Sequence, residues 1–150
     1  MVLEGWHPGE RAIQAKLDYA RAMDLYQGYT MVDDCLPLQH RIFHNKNVSF
    51  VPVTTLDGTG RPWGSLLSKS GESGFITSPD DTTLVMKADV GDGDPLIENI
   101  SDASEGKKLI AGLGIDFSTR RRNKFAGRIA SANRSGSSIE LTLEINQALG

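Results

Sequence analysis

The sequence predicts a mainly β fold, a small antiparallel barrel with peripheral helices, and three observations lead to this prediction. The chain has 150 residues, a length that suits one domain with a substantial core. From Val48 onward, about six short runs have the composition and spacing of strands, and turn signals separate them. Helical periodicity lies mainly before that point. We therefore expect a single domain over residues 1–150, with a helical extension at about 9–45 and a barrel at about 48–147.

Two helices are predicted ahead of the barrel and one within it. Residues 9–24 follow Pro8, which suits a first helical position, and their apolar residues recur at helical spacing: Ile13, Leu17, Ala20 and Met23. A second, shorter helix is predicted from Pro37 to about His44. The segment DPLIENISDASEG, residues 94–106, predicts a third helix that Asp94 and Pro95 open.

The first predicted strands form a hairpin. VSFVPVTTL and RPWGSLLS are extended runs on either side of the turn-forming Asp57-Gly58-Thr59-Gly60. Pro52 cannot donate to a strand ladder, so we expect it at an edge, a bulge or a strand start. GFITS and TTLVMKA predict two further short strands.

Three final strands are predicted from KLIAGLGIDF, RNKFAGRIAS and SIELTLEIN. The last of these has the clearest pattern in the chain. Ile139, Leu141, Leu143 and Ile145 alternate with polar residues, which predicts a strand with one buried face and one solvated face.

The charge balance limits the partners that we expect. The net charge is -3, with 16 Lys and Arg against 19 Asp and Glu, whereas nucleic-acid and anionic-membrane binders usually carry a broad basic excess. Cys35 is the single cysteine, so no internal disulfide is possible, which is typical of a reducing compartment. No apolar run approaches the length of a membrane span. We expect a cytoplasmic protein that binds neither nucleic acid nor membrane.

The segment GIDFSTRRRNKFAGRI, residues 114–129, concentrates four cations between Arg120 and Lys124. Alternation along the predicted strand puts Phe125 and Ile129 on one face and Arg122, Lys124 and Arg128 on the other, with Arg120 and Arg121 at the turn. Three interpretations remain open: a solvated turn, a nucleic-acid contact, or a seat for a small anion such as phosphate.

The order of three segments, VPVTTLDGTGRPWGSLL, GFITS and GLGIDFSTRRRNKFAGRI, resembles the pyridoxamine 5'-phosphate oxidase-like, FMN-binding split-barrel family. The chain is most similar to the type of domain that begins GWHPGE and precedes a flavin and iron–sulfur reductase module. The resemblance covers residues 5–150. It implies a six-stranded antiparallel split β-barrel, a homodimer, and FMN in grooves at the subunit interface.

The resemblance also implies site residues. The strand that contains Trp63, Ser65 and Leu66 would run along the isoalloxazine ring and offer it backbone groups. Thr77 and Ser78 match the place of polar contacts to the ribityl-phosphate end. Arg122 matches a position whose side chain reaches the flavin, and Lys124 projects from the same face. With Arg120 and Arg121, these cations would neutralise the flavin's phosphate or its reduced ring.

The chain departs from the family where the vitamin oxidases carry a phosphate-binding Ser-Arg-Lys set, because Asp81, Thr82 and Thr83 stand there. Ser65 replaces an arginine of those enzymes. We therefore expect an FMN-dependent oxidoreductase other than a true pyridoxamine phosphate oxidase. It would act on an unknown small molecule or relay electrons with a reductase module, and NAD(P)H is a possible electron donor. One alternative is a non-catalytic split barrel for dimerisation or ligand binding, and another is haem or tetrapyrrole binding.

His40 and His44 are four residues apart on a predicted helix, so both rings could face one way and bind a metal. The competing interpretation is a pair of exposed polar residues. We predict no metal site.

Overall fold

The computed structural model describes residues 6–25, 32–101 and 108–150. The helices are α1 (Pro8–Lys16), α2 (Ala20–Leu25), α3 (Leu38–Lys46) and α4 (Pro95–Asn99). The strands are β1 (Phe50–Leu56), β2 (Pro62–Ser68), β3 (Ile76–Thr77), β4 (Thr83–Asp89), β5 (Leu109–Asp116), β6 (Arg121–Ser135) and β7 (Ser138–Leu149).

The strands form an antiparallel barrel. Their order is β2-β1-β5-β6-β7-β4-β3, and an additional pairing of β2 with β4 closes six of them into a cylinder with β3 outside. The closing seam is short, because β2 meets β4 only at the pair Ser68–Asp89. The predicted six-stranded antiparallel barrel is therefore confirmed.

The barrel interior is filled by the inward side chains of the alternating strands. In β7 every second residue from Ile139 to Ile145 is buried, as the sequence pattern predicts. Leu67, Met86, Ile110 and Ile129 contribute from other strands to the same core.

Pro52 lies inside β1, where it pairs with Leu66 of β2. On the other side of β1, pairing with β5 covers only Val53–Thr55, so it begins one residue after the proline. Pro52 thus lies just outside the part of β1 that pairs on both sides, which agrees with the expectation of an edge position for a residue without an N–H donor.

The N-terminal helical prediction is partly wrong. Residues 9–24 do not form one helix, because the chain turns at Asp18, whose φ is 58°, and α1 and α2 lie on either side. The apolar stripe of α1 is not buried within the described residues, since Ile13 and Leu17 are 61% and 58% exposed.

Two further helical predictions have different outcomes. The helix predicted from Pro37 to about His44 is α3. The helix predicted over residues 94–106 is observed as the short α4, which Asp94 caps by accepting a hydrogen bond from Leu96 N, and residues 102–106 lie outside the described part. None of the helices in the described ranges combines the length and the apolar character that crossing a bilayer needs.

Candidate functional site

The arginine turn joins β5 to β6 in a hairpin. Asp116 organises the turn by accepting hydrogen bonds from Ser118 N, Ser118 Oγ and Thr119 Oγ1, and these bonds hold its pKa below the usual range. Arg120 then takes a left-handed conformation with φ 60°. In β6 Asn123 and Phe125 are buried while Arg122 and Lys124 are exposed. The predicted direction of these cations is therefore observed.

The cations do not share one cavity. Arg120, Arg121 and Arg122 line a cavity of about 460 Å³, which we call the basic pocket and which is completed by Gln39, His40, Asn123 and Gly150. Lys124 lines a different cavity on the outer wall of the barrel. The four predicted cations are thus divided between two cavities, three in the basic pocket and one in the other.

Helix α3 forms the opposite wall of the basic pocket. The guanidinium of Arg121 lies 4.8 Å from the centre of the Phe43 ring and donates a hydrogen bond to Gln39 O at 3.3 Å. A cation over an aromatic face is attracted by the ring's quadrupole, so this contact fixes Arg121 against the helix. Sequence reasoning had no signal for this contact, because Gln39 and Arg121 are 82 residues apart.

Two buried polar side chains also line the basic pocket. His40 is 6% exposed and Asn123 is 2% exposed. Their His40 Nδ1 and Asn123 Nδ2 atoms have no hydrogen-bond partner among the described residues. Burial lowers the pKa of His40, the nearby Arg121 charge lowers it further, and Asp33 acts in the opposite direction.

The second cavity, which we call the outer groove, has a volume of about 490 Å³. Its floor is a row of mostly small residues that pair across neighbouring strands of the outer wall. The row runs Thr54, Ala111, Ala126 and Gln147, and Gly64 of β2 continues it beyond Thr54. Pro52, Leu113, Lys124 and Leu149 form one side. Short side chains between longer ones create the groove, and most of its lining is apolar.

The predicted ring-binding strand, β2, presents Leu66 outward at 60% exposure. Trp63 is 43% exposed, but it lies on the inner face of the strand, beside the β1–β2 turn, and pairs with the buried Thr55. Ser65 is buried on the same inner face, and its Oγ donates to Oδ1 of Asp94, the N-cap of α4, at 2.5 Å. Only the backbone of Ser65 thus remains for contacts outside the barrel. Strands β2 and β6 are three positions apart in the sheet, about 14 Å at normal strand spacing.

Thr77 and Ser78 lie apart from both cavities. Arg41 of α3 donates from Nε to Ser78 Oγ and from a terminal nitrogen to Ser78 O, at 3.0 and 2.9 Å. Thr77 borders a third cavity, of about 440 Å³, with Lys69 and Lys87. The sequence analysis did not consider Arg41, Lys69 or Lys87 as site residues. Asp80 precedes the three residues that depart from the family pattern, 81–83, and its Oδ1 accepts hydrogen bonds from Thr82 N and Thr82 Oγ1 of the same loop.

The interpretation of His40 and His44 as exposed polar residues is wrong, because both are buried. The His44 ring stands edge-on to Phe43 and Phe125 and occupies the space that Gly114 leaves open. Burial lowers its pKa to about 4, and the charges of His40 and Arg121 act in the same direction. No group of three metal-ligating side chains occurs in the part of the chain that the structure describes.

Comparisons with known proteins place the fold. No family model and no curated protein sequence matches the chain. A candidate pyridoxamine 5'-phosphate oxidase from Lactobacillus delbrueckii matches with a TM-score of 0.54 at 14% identity, over 78% of this chain and 95% of that protein. HupZ from Group A Streptococcus matches with a TM-score of 0.53 at 15% identity, over 75% of this chain and 92% of HupZ. An F420 reductase matches with a TM-score of 0.52 at 9% identity, over 75% of this chain and 98% of the reductase. The chain has the split-barrel fold of these proteins.

Proposed function

We propose that this chain binds FMN in the outer groove and serves a flavin-dependent oxidation–reduction. The observation that carries the proposal is the groove: a row of small residues on the outer wall of a split barrel, with an ammonium group at its side. The likeness of the fold to an oxidase and to a reductase of similar size supports it.

The chemistry of the groove fits an aromatic cofactor. Its volume of about 490 Å³ lies within the range of small-molecule sites, and its apolar walls suit a flat ring. The row from Thr54 to Ala126 leaves room for a ring to lie against the strands. Lys124 then supplies the positive charge that an anionic cofactor requires.

When bound, the flavin would supply hydride or electron transfer. The chain's own part is to hold and polarise the ring. Lys124 would favour negative charge on the ring edge that it faces, because a fixed cation in a partly apolar site is weakly screened. Leu66, on the outer face of β2, would shield the ring from water.

A second copy of the chain would bring the predicted ring-binding strand to this groove. Within one barrel, β2 and β6 are too far apart to hold one ring edge between them. The outer wall also exposes Leu66 and Leu109, which are 60% and 48% exposed, and apolar surface of this kind is typical of an interface. We therefore propose a homodimer with NAD(P)H, or a separate reductase module, as the electron source.

A true pyridoxamine phosphate oxidase is not the function that we propose. Ser65, at the position of an arginine in those enzymes, donates its hydroxyl hydrogen bond to Asp94, the N-cap of α4. The loop that would carry their phosphate-binding set presents Asp80 and Asp81, both at exposed positions.

The test is a flavin titration of the purified protein with a variant that fills the groove. Ala126→Phe places a large ring on the groove floor, whereas Ala130→Phe places the same ring on the same strand face outside the groove. We expect FMN to bind the parent and Ala130→Phe equally, and Ala126→Phe to bind at least tenfold more weakly. Equal FMN affinity for all three proteins would contradict the proposed site.

The absorption spectrum distinguishes the alternatives. A colourless protein that ignores added FMN, FAD and F420 would favour a non-catalytic barrel, and a Soret band would favour haem. If flavin binds, anaerobic mixing with NADH or NADPH should bleach it; a persistent oxidised spectrum would show a binding protein without this reductase step.

A further inference from the structure

We propose that the basic pocket is a separate site for a phosphate-type dianion, formed by the arginine turn and the start of α3. The inference does not require flavin in the outer groove, because the two cavities share none of their lining residues. It assigns a role to Gln39, His40 and Asn123, which the proposed flavin site does not use.

The turn explains how successive cations reach one cavity. Neighbouring residues of a strand project to opposite sides, so a regular strand would separate Arg121 from Arg122. Here Arg120 is left-handed and Arg121 is held against Phe43, and all three guanidinium-bearing residues border the pocket. None of the three forms an ion pair with a carboxylate of the described residues. Guanidinium groups are suited to phosphate because their forked N–H donors match two oxygens at once.

Buried polar groups give the second, independent indication of a ligand. Asn123 is 2% exposed, lines the pocket, and has an amide nitrogen without a partner within the described chain. Buried amide donors are almost always satisfied in folded proteins, so an unsatisfied one needs an acceptor from elsewhere. A phosphate oxygen in the pocket would be that acceptor, and His40, whose Nδ1 also lacks a partner, lies beside it.

The electrostatic state of His40 agrees with a site made for an anion. Burial and the Arg121 charge lower its pKa, and Asp33 only partly opposes them. A bound dianion reverses the sign of the local field, so it favours the imidazolium. Phosphate binding and protonation of His40 should therefore strengthen each other.

The basic pocket adjoins the outer groove. Arg122 and Lys124 are two residues apart on the same face of β6, about 7 Å along the strand. A phosphate ester whose ring occupies the groove can thus place its phosphate in the pocket. The same chemistry also admits the phosphate of a second nucleotide, or inorganic phosphate.

Inorganic phosphate is the probe for the test. Histidine-labelled protein is titrated with phosphate against a chloride background, while NMR follows the His40 resonances, assigned with His40→Gln. Calorimetry gives the affinity of the parent, of Arg122→Gln and of Arg120→Asn, since asparagine tolerates the left-handed turn. Arg128→Gln is the matched control, because Arg128 is an exposed arginine of the same strand outside both cavities.

We expect phosphate to raise the His40 pKa by at least half a unit, and each pocket variant to weaken phosphate binding by about tenfold or more. The control should change affinity by less than about twofold. Phosphate that leaves the His40 pKa unchanged, or that binds Arg122→Gln as tightly as the parent, overturns the proposal.

Paired ligands identify the source of the dianion. If FMN binds more tightly than riboflavin and Arg122→Gln abolishes only that difference, the cofactor's phosphate occupies the pocket. If the difference between NADPH and NADH is abolished instead, the 2'-phosphate does. If flavin binds but neither inorganic phosphate nor the phosphate group of any ligand affects the pocket variants, this inference is wrong and the proposed function stands. If phosphate binds but flavin does not, the proposed function is wrong and this inference stands.

Discussion

The indole nitrogen of Trp63 donates a hydrogen bond to Oδ2 of Asp57 at 3.0 Å. The same carboxylate accepts from Thr59 N, Thr59 Oγ1, Arg61 N and Arg61 Nε at 2.7–3.0 Å. These bonds hold the pKa of Asp57 far below its usual range, with the Thr59 hydroxyl and the Trp63 indole as the largest causes. One residue therefore shapes the β1–β2 hairpin and fixes an exposed aromatic ring beside it.

Replacing this carboxylate should release the Trp63 ring. In a Trp6→Phe background, which leaves Trp63 as the only tryptophan, we expect Asp57→Ala to lower the fluorescence anisotropy and to lower the melting temperature. The reason is that the turn loses its common acceptor. Asp92→Ala, which removes a carboxylate bound to Arg134 at the surface, is the control and should change neither value. An anisotropy equal to that of Trp6→Phe would show that packing alone holds the ring.

The buried His44 should make the fold sensitive to acid. Its pKa is about 4 in the folded chain against 6.5 for the free side chain, so the unfolded state binds a proton in this window and the folded state does not. The free energy of unfolding should therefore fall as pH decreases from about 6.5 to 4, by roughly 3 kcal/mol in total.

Urea denaturation of the parent and of His44→Leu across this pH range measures the effect. The leucine variant should have a shallower pH dependence, and the difference between the two curves removes the contribution of carboxylates that titrate in the same range. Parallel curves would mean that the folded chain protonates His44 as readily as the unfolded chain does, and would contradict the lowered pKa.

Gly127 lies where the backbone of β7 comes close to that of β6. It sits at a bulge between β6 and β7, and a Cβ at this position would overlap the carbonyl oxygen of Glu144. We expect Gly127→Ala to reduce the free energy of unfolding by at least about 2 kcal/mol, since the backbone must move. Gly64→Ala is the matched control, because a Cβ there meets no atom within 4 Å. Equal chemical denaturation midpoints for the two variants would contradict this account.

The sequence predicted the parts of the fold that local pattern determines. The alternation in β7, the outward direction of Arg122 and Lys124, and the turn after β1 follow from strand period and turn chemistry, which act over a few residues. The resemblance supplied the closure of the barrel, which no local pattern contains.

The residues that sequence analysis misjudged depend on distant contacts. His44 was expected at the surface, but its neighbours Gly114 and Phe125 come from strands about 70 to 80 residues later. The four cations were expected as one cluster, yet Arg122 lines the basic pocket, which Gln39 and His40 of α3 complete, and Lys124 lines the outer groove. Arg41 was not considered, because its partner Ser78 is 37 residues away.

The single residue pair between β2 and β4 has a mechanical consequence. Local opening of a barrel should begin at the seam with the fewest backbone pairs. We therefore expect Ser68 and Asp89 to separate first, while β5, β6 and β7 stay paired and move together. Most residues of these strands that line the two cavities would therefore keep their positions when the seam opens. Any change in the width of the barrel would occur on its opposite side, at β2 and β4.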